Sequence, residues 1–140
     1  MTIQRTFSII KPDAVKRNLE GKILSFLQEA KFNIVALKKM QFSKELAEKF
    51  YEVHKERPFY NDLCAFMSSG PVVSSVLEKE NAILDYRTIM GATNPKDANC
   101  GTIRNLYAIS IDENSVHGSD SEENARIEMN LIFAQSEILP

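Results

Sequence analysis

Only two histidines, His54 and His117, occur among the 140 residues. His117 is the informative one. It sits in Asn114-Ser-Val-His-Gly-Ser-Asp-Ser121, between a strand pattern and a helix start. Neutral imidazole is a nucleophile and can form a covalent intermediate that splits one transfer into two steps. Gly118 leaves room for a ligand to approach, and Ser119 and Asp120 can orient neighbouring groups. Residue type alone leaves a histidine that merely satisfies a loop equally open. A metal-ligand role is weaker, because no second His or Cys stands at a useful spacing. His54, on a polar helix shoulder before Lys55 and Glu56, reads as solvated.

Other side chains are out of place for a simple core. Lys11 shares strand parity with Phe7 and Ile9, and burying an unpaired charge is expensive. It either reaches out to water or meets an anionic ligand at the sheet's edge. Glu128 falls among Ala125, Met129 and Ile132 on a helical stripe, where a carboxylate needs a partner. It either orients His117 or only flanks the stripe. Arg87 and Arg104 bracket a long loop containing Thr93. Two arginines and a hydroxyl can grip phosphate oxygens, since arginine offers paired donors. Taken singly, each arginine reads as a surface charge.

The usual nucleotide signatures are missing. The five glycines stand at 21, 70, 91, 101 and 118. They form neither G-x-x-x-x-G-K nor G-x-G-x-x-G. The H-R-D and D-F-G triplets of protein kinases are also absent. A phosphate site must therefore come from scattered side chains and helix starts.

Composition narrows the class. The length suits one compact domain spanning 1–140, able to bury about 70% of the surface its unfolded chain exposes. Seventeen Lys and Arg against nineteen Asp and Glu give a formal net charge of −2. That disfavours a nucleic-acid binder driven by a whole-domain positive field. Cys64 and Cys100 form no C-x-x-C, so reduced thiols in a cytoplasmic protein are expected rather than a disulfide framework or structural zinc. Met1 to Pro12 holds one short apolar patch, unlike a signal peptide, and no segment is long enough to span a bilayer.

The elements that must carry these residues follow from periodicity. Thr6–Lys11 reads as a strand, after which Pro12 blocks ordinary pairing. Gly21–Lys31 reads as a helix with Ile23, Phe26, Leu27 and Ala30 on one stripe. Asn33–Phe42 reads as a second strand. Ser43 can cap a helix burying Leu46, Ala47, Phe50 and Val53. Asn61–Met67 predicts a short helix, Pro71–Leu77 a third strand and Asn81–Met90 a helix with Gly91 at its C-cap. Residues 91–112 read mostly as loop, with a turn of helix near Ile103. Asn114–Gly118 predicts a short fourth strand. Ser119-x-x-Glu122 has capping-box spacing and opens the last helix. Strands alternating with helices predict an α/β sandwich, helices on a small sheet.

Taken together, these segments resemble the nucleoside diphosphate kinase family, in its bacterial form, over nearly the whole chain. The resemblance is carried by Thr6-Phe-Ser-Ile-Ile-Lys-Pro-Asp-Ala-Val15, Phe50-Tyr51, Arg57-Pro-Phe59, Ser69-Gly-Pro-Val-Val73, Gly91-Ala-Thr-Asn-Pro95, Gly101-Thr-Ile-Arg104 and Asn114-x-x-His-Gly-Ser-Asp-Ser121. It implies an α+β fold, a ferredoxin-like βαββαβ sandwich whose four-stranded sheet is covered by helices. It implies a ping-pong reaction in which a triphosphate, usually ATP, phosphorylates the histidine on Nδ1 and a diphosphate then takes the group. Magnesium is expected as cofactor, bridging the nucleotide phosphates with no protein ligands of its own.

By motif match, His117 is similar to the family's nucleophile, and Tyr51, Ser119 and Glu128 to the groups around it. Lys11 and Asn114 match the residues on the ribose, Lys11 also touching the transferred phosphate. Arg87, Thr93 and Arg104 match the phosphate grip, and Phe59 the ring under the base. The implied partners are nucleoside di- and triphosphates and further copies of the chain, as a homotetramer or homohexamer. Departures stand at Cys100, Leu106 and Ile127, where the family commonly has proline, aspartate and a basic residue. They bear on loop rigidity and subunit packing. The competing reading is a nucleotide-binding regulatory or scaffold protein on the same fold, with little turnover.

Overall fold

The computed structural model describes residues 2–140; Met1, the first residue of the segment read above as no signal peptide, lies outside them. The elements are β1 (Ile3–Ile10), α1 (Pro12–Lys16), α2 (Glu20–Glu29), β2 (Asn33–Gln41), α3 (Lys44–Phe50), α4 (Tyr60–Met67), β3 (Pro71–Glu80), α5 (Ala82–Met90), α6 (Ile103–Tyr107), β4 (Val116–Gly118) and α7 (Glu122–Ile132). Short 3₁₀ turns lie at Glu52–His54, Pro95–Asp97 and Gln135–Glu137. The four strands form one antiparallel sheet in the order β2-β3-β1-β4. With α2 and α5 as the crossover helices, this is the ferredoxin-like βαββαβ arrangement, and α3 and α4 are inserted between β2 and β3.

The sheet is covered on both faces. Strand pleating sends alternate side chains to opposite sides. Phe7 and Ile9 of β1 therefore join Val72 and Val76 of β3 under α3, α4 and the end of α7. Ile10 joins Val73 and Leu77 under α1, α2 and α5. Fully burying each such side chain stabilises by roughly 1.5–3 kcal/mol. Ser8, on the second face, is fully buried, and its hydroxyl lies 2.6 Å from that of Tyr86, so each satisfies the other.

Several expectations need correction. Pro12 does more than end the strand: it occupies the first turn of α1, where its missing N–H is no loss. Ser119 is not the cap of the last helix. Ser121 is, accepting from the Asn124 N–H, and the Ser119 side chain is engaged elsewhere. Val53 is not on a buried helical face, since α3 ends at Phe50 and Val53 is 84% exposed. The strands β1 and β3 run longer than expected, to Ile3 and Glu80, while β4 starts only at Val116.

Candidate active site

His117 is the middle residue of β4 and pairs with Ile9 of β1. Its ring is backed by Phe50 at 5.4 Å and Phe7 at 6.4 Å, both edge-on. Glu128 lies three residues after buried Ala125 and four before buried Ile132, on the inward stripe of α7. That spacing brings its Oε1 to 3.0 Å from His117 Nε2. Ser119 donates its hydroxyl to the same oxygen at 2.7 Å. A carboxylate facing Nε2 fixes the tautomer with the proton on that nitrogen. The lone pair then sits on Nδ1.

Tyr51 closes α3 and is buried with its hydroxyl unpartnered. Burial, and then the Glu128 charge, push its phenol well above the usual range. It does not line the cleft itself. Its ring packs on Phe50 at 4.9 Å and stacks with His54 at 6.4 Å. His54 is therefore half-buried rather than simply solvated, and its ring lies 5.5 Å from that of Phe59. Phe59 is 47% exposed, outside the cleft that holds His117.

That cleft, of roughly 340 Å³, gathers His117, Gly118 and Glu128 with Arg87, Thr93 and Arg104. Arg87 and Thr93 are exposed, whereas Arg104 is buried. Its guanidinium donates to the Gly91 carbonyl at 3.0 Å and the Val116 carbonyl at 2.9 Å, so it ties the loop after α5 to β4. Its Nε is buried without a partner. Lysine could not hold both carbonyls, because it lacks the rigid fork. Gly91 sits at φ +87°, and a Cβ there would come within 2.4 Å of the Thr102 hydroxyl. Gly118 is also explained by packing. Its missing Cβ makes room for Tyr86 and Met90, at 2.9 and 2.8 Å, rather than for a ligand.

Lys11 does not reach out to water. It is 8% exposed, and its ammonium donates to Asn114 Oδ1 at 2.8 Å. Burial and the nearby Arg104 push it down to about 8, against the pull of Asp13 and Asp112. Asn114 is buried too and reaches the Thr93 carbonyl at 3.4 Å. The pair thus touches the cleft through Thr93 without lining it. The sequence reading missed Asp13, the Ser8–Tyr86 pair, and Lys49, Asn124 and Leu131, which also line the cleft. The aspartate directly after Lys11 and Pro12, inside a segment that carries the family resemblance, was the one visible signal among them.

The family model for nucleoside diphosphate kinase matches residues 4–138. The chain belongs to the nucleoside diphosphate kinase family. A nucleoside diphosphate kinase from Geobacter sp. (strain M21) is 59% identical over 137 residues, 98% of this chain and 100% of that protein. One from Persephonella marina is 56% identical over 139 residues, 99% of each chain. Among solved structures, the Aquifex aeolicus nucleoside diphosphate kinase superposes with a TM-score of 0.97 at 43% identity, covering 99% of this chain and 100% of that one. The Halobacterium salinarum nucleoside diphosphate kinase in complex with CDP gives 0.95 at 38%, covering 99% and 93%. Like other nucleoside diphosphate kinases, the chain is a phosphotransferase acting on nucleotides. No helix of the described residues is long and apolar enough to cross a membrane.

Proposed function

We propose that the chain moves the γ-phosphate of a nucleoside triphosphate, mainly ATP, to a nucleoside diphosphate through a phosphohistidine at His117. The observation that carries this reading is the Glu128–His117 hydrogen bond on Nε2, which leaves the Nδ1 lone pair free on a ring that lines a cleft with two arginines. In the first half-reaction the Nδ1 lone pair forms a bond to the γ-phosphorus. The bond from that phosphorus to the β–γ bridging oxygen breaks, and the diphosphate leaves with the electron pair. The Nε2 proton stays on the ring, and Glu128 stabilises the positive charge that develops there. In the second half-reaction a terminal oxygen of the acceptor diphosphate attacks the phosphorus and the P–N bond breaks.

On this reading Arg87, Thr93 and Arg104, which line the cleft, hold phosphate oxygens, Lys11 and Asn114 the ribose side, and Phe59 the base. The CDP complex of the Halobacterium relative supports a nucleotide as the ligand. Among the described residues no group of three His, Cys, Asp or Glu side chains is placed to hold a metal. The reading takes magnesium as arriving with the nucleotide, held by its phosphates. When bound, it would neutralise charge on the phosphate oxygens.

The same reading takes 1–140 as one domain and places it in the cytoplasm, where reduced thiols such as Cys64 and Cys100 are stable. It also expects a homotetramer or homohexamer, which light scattering on the purified protein would read as a mass of four or six chains. The family match and the retained His117, Ser119 and Glu128 favour turnover over the regulatory or scaffold alternative.

The test is conversion of ATP plus GDP into ADP plus GTP, followed by labelling with γ-labelled ATP and no acceptor. The label should be acid-labile and base-stable, and His117→Ala should carry none. Wild-type levels of label on that variant would remove His117 from the reaction.

A further inference from the structure

We infer that Asp13 is a positioning residue for the nucleotide site: its buried carboxylate clamps Ser115 and Arg17, and so keeps Asn114 and Lys11 facing each other. This rests on the reading of Lys11 and Asn114 as nucleotide contacts.

The Asp13 side chain is 1% exposed in the first turn of α1. A carboxylate in such a place is expensive to ionise unless it is paired and hydrogen-bonded. Burial pushes the Asp13 carboxyl up, while Ser115, Lys11 and Arg17 pull it back. Its Oδ2 accepts from the Ser115 hydroxyl at 3.2 Å and lies 3.6 Å from Arg17 Nη2. The same Arg17 nitrogen donates to the Tyr107 carbonyl at 2.6 Å and to Ser115 Oγ at 3.4 Å. Arg17 thus pins the clamp to the end of α6.

Ser115 is the part that needs clamping. It is fully buried at φ +72°, a left-handed conformation that a serine holds only when its surroundings enforce it. This kink turns the chain between Asn114 and Val116, whose N–H returns to the Asn114 carbonyl at 2.8 Å. The Ser115 carbonyl also accepts from the Lys11 N–H at 2.8 Å. A closed circuit results. Asp13 fixes Ser115, Ser115 fixes the backbone of Lys11 and Asn114, and the Lys11 ammonium meets Asn114 Oδ1 at 2.8 Å.

The clamp also acts by charge. The charged groups that act on the Lys11 ammonium are Arg104 from α6, Asp112 from the loop before β4 and Asp13 from α1. Of the two carboxylates, Asp13 does more to keep Lys11 protonated. Neutralising Asp13 removes that support, whereas loosening Ser115 does not.

The experiment compares two phosphoryl donors on three variants. Phosphoramidate is small enough to phosphorylate His117 without a ribose or a diphosphate, so it makes no use of Asn114 and leaves Lys11 only its contact with the transferred phosphate. An assay below about pH 8 keeps Lys11 charged in every variant that retains it. For Asp13→Asn and Ser115→Gly, the KM for ATP should rise on the order of 10- to 100-fold, while the phosphoramidate rate stays within about two-fold of wild type. Ser115→Gly removes the hydroxyl at a position that glycine suits, and it carries the test if Asp13→Asn fails to fold. The basic limb of kcat/KM for ATP should move to lower pH in Asp13→Asn and stay in place in Ser115→Gly. Equal losses with both donors would reduce the clamp to a stability device and overturn the inference, as would an unchanged KM for ATP. Lys11→Met is the reference. If it leaves the KM for ATP unchanged, the nucleotide-site reading itself fails and this inference with it. If it alone raises the KM, only the positioning role fails.

Discussion

Glu128 meets His117 at Nε2, 3.0 Å away, and takes the Ser119 hydroxyl on the same oxygen at 2.7 Å. One carboxylate oxygen therefore sets both the tautomer and the rotation of the ring. Glu128→Ala should slow single-turnover phosphorylation by roughly 10²-fold without abolishing it, as expected when an electrostatic helper is removed. Ser119→Ala should cost less, because it steadies Glu128 and does not touch the ring. Rapid-quench labelling reads both. A folded Glu128→Ala protein labelled at the wild-type rate would strike Glu128 from the site.

The missing Cβ of Gly118 is a second constraint on β4. An alanine there would put a methyl 2.9 Å from two Tyr86 ring carbons and 2.8 Å from the Met90 methyl. Methionine can shift. The Tyr86 ring is fully buried, lies edge-on to Phe32 and is bonded to Ser8, so it has nowhere to go. Gly118→Ala should destabilise the fold by about 1–3 kcal/mol. Denaturant unfolding measures this, and an unchanged midpoint would show that the helix α5 moves more easily than its packing suggests.

Arg104 joins two segments that are distant in sequence. Arg104→Lys keeps the charge but leaves at least one of the Gly91 and Val116 carbonyls unpaired. An unsatisfied buried acceptor costs about 1–3 kcal/mol. The variant should melt earlier and transfer phosphate more slowly. Slower transfer with an unchanged melting point would assign Arg104 to phosphate alone.

Lys11 gives a pH prediction with two opposite signs. Its ammonium is pushed down to about 8 from its ordinary 10.5. Above about pH 8 the free protein loses this cation, so kcat/KM for nucleotides should fall there. Lys11→Met should lack that limb. Stability moves the other way. The folded pKa lies below the unfolded one, so between about pH 8 and 10.5 the unfolded chain binds more protons. The contribution of Lys11 to stability therefore rises with pH across that window. Urea unfolding of wild type against Lys11→Met checks the sign. A contribution that falls with pH would mean that Lys11 is better paired than its burial implies.

Much of this architecture was legible in the sequence because it is written in local pattern. The alternation around Phe7 and Ile9, the stripe of Ile23 and Leu27, and the stop at Gly91 each follow from side-chain period or backbone freedom. The motif around His117 carried the chemistry by resemblance. What stayed hidden depends on partners far apart in the chain. Ser119 and Ser121 are both plausible helix caps by type. Only the approach of Glu128 to His117 decides that Ser119 serves the carboxylate. Arg104 reads as a surface charge until β4 and the Gly91 loop are brought together around it. Gly118 reads as space for a ligand until α5 is packed behind it. Val53 has the spacing of a core residue, but α3 gives way to a tighter turn at Tyr51 and the helical face ends.

Phe59 is 47% exposed, held at its inner side by the His54 ring 5.5 Å away. Leu63, one turn further into α4, donates its N–H to the Phe59 carbonyl, and Ile111 is exposed on the loop before β4. A flat apolar ring offers stacking, which tolerates every base because each has a π-face. Strong discrimination needs buried polar groups that the wrong substrate leaves unpaired. The buried polar side chains assigned to the nucleotide are Lys11, Asn114 and Arg104, and apart from Arg104 Nε they are engaged with one another or with backbone. In the proposed binding mode they meet ribose and phosphate, which all nucleotides share. ADP, GDP, CDP, UDP and dTDP should therefore be accepted within about 10- to 200-fold of one another in kcat/KM with a fixed donor. Phe59→Ala should weaken all five to a similar degree. A single favoured base well outside that range would reveal a polar contact to the base edge. A loss confined to one base in Phe59→Ala would contradict stacking as the source of binding.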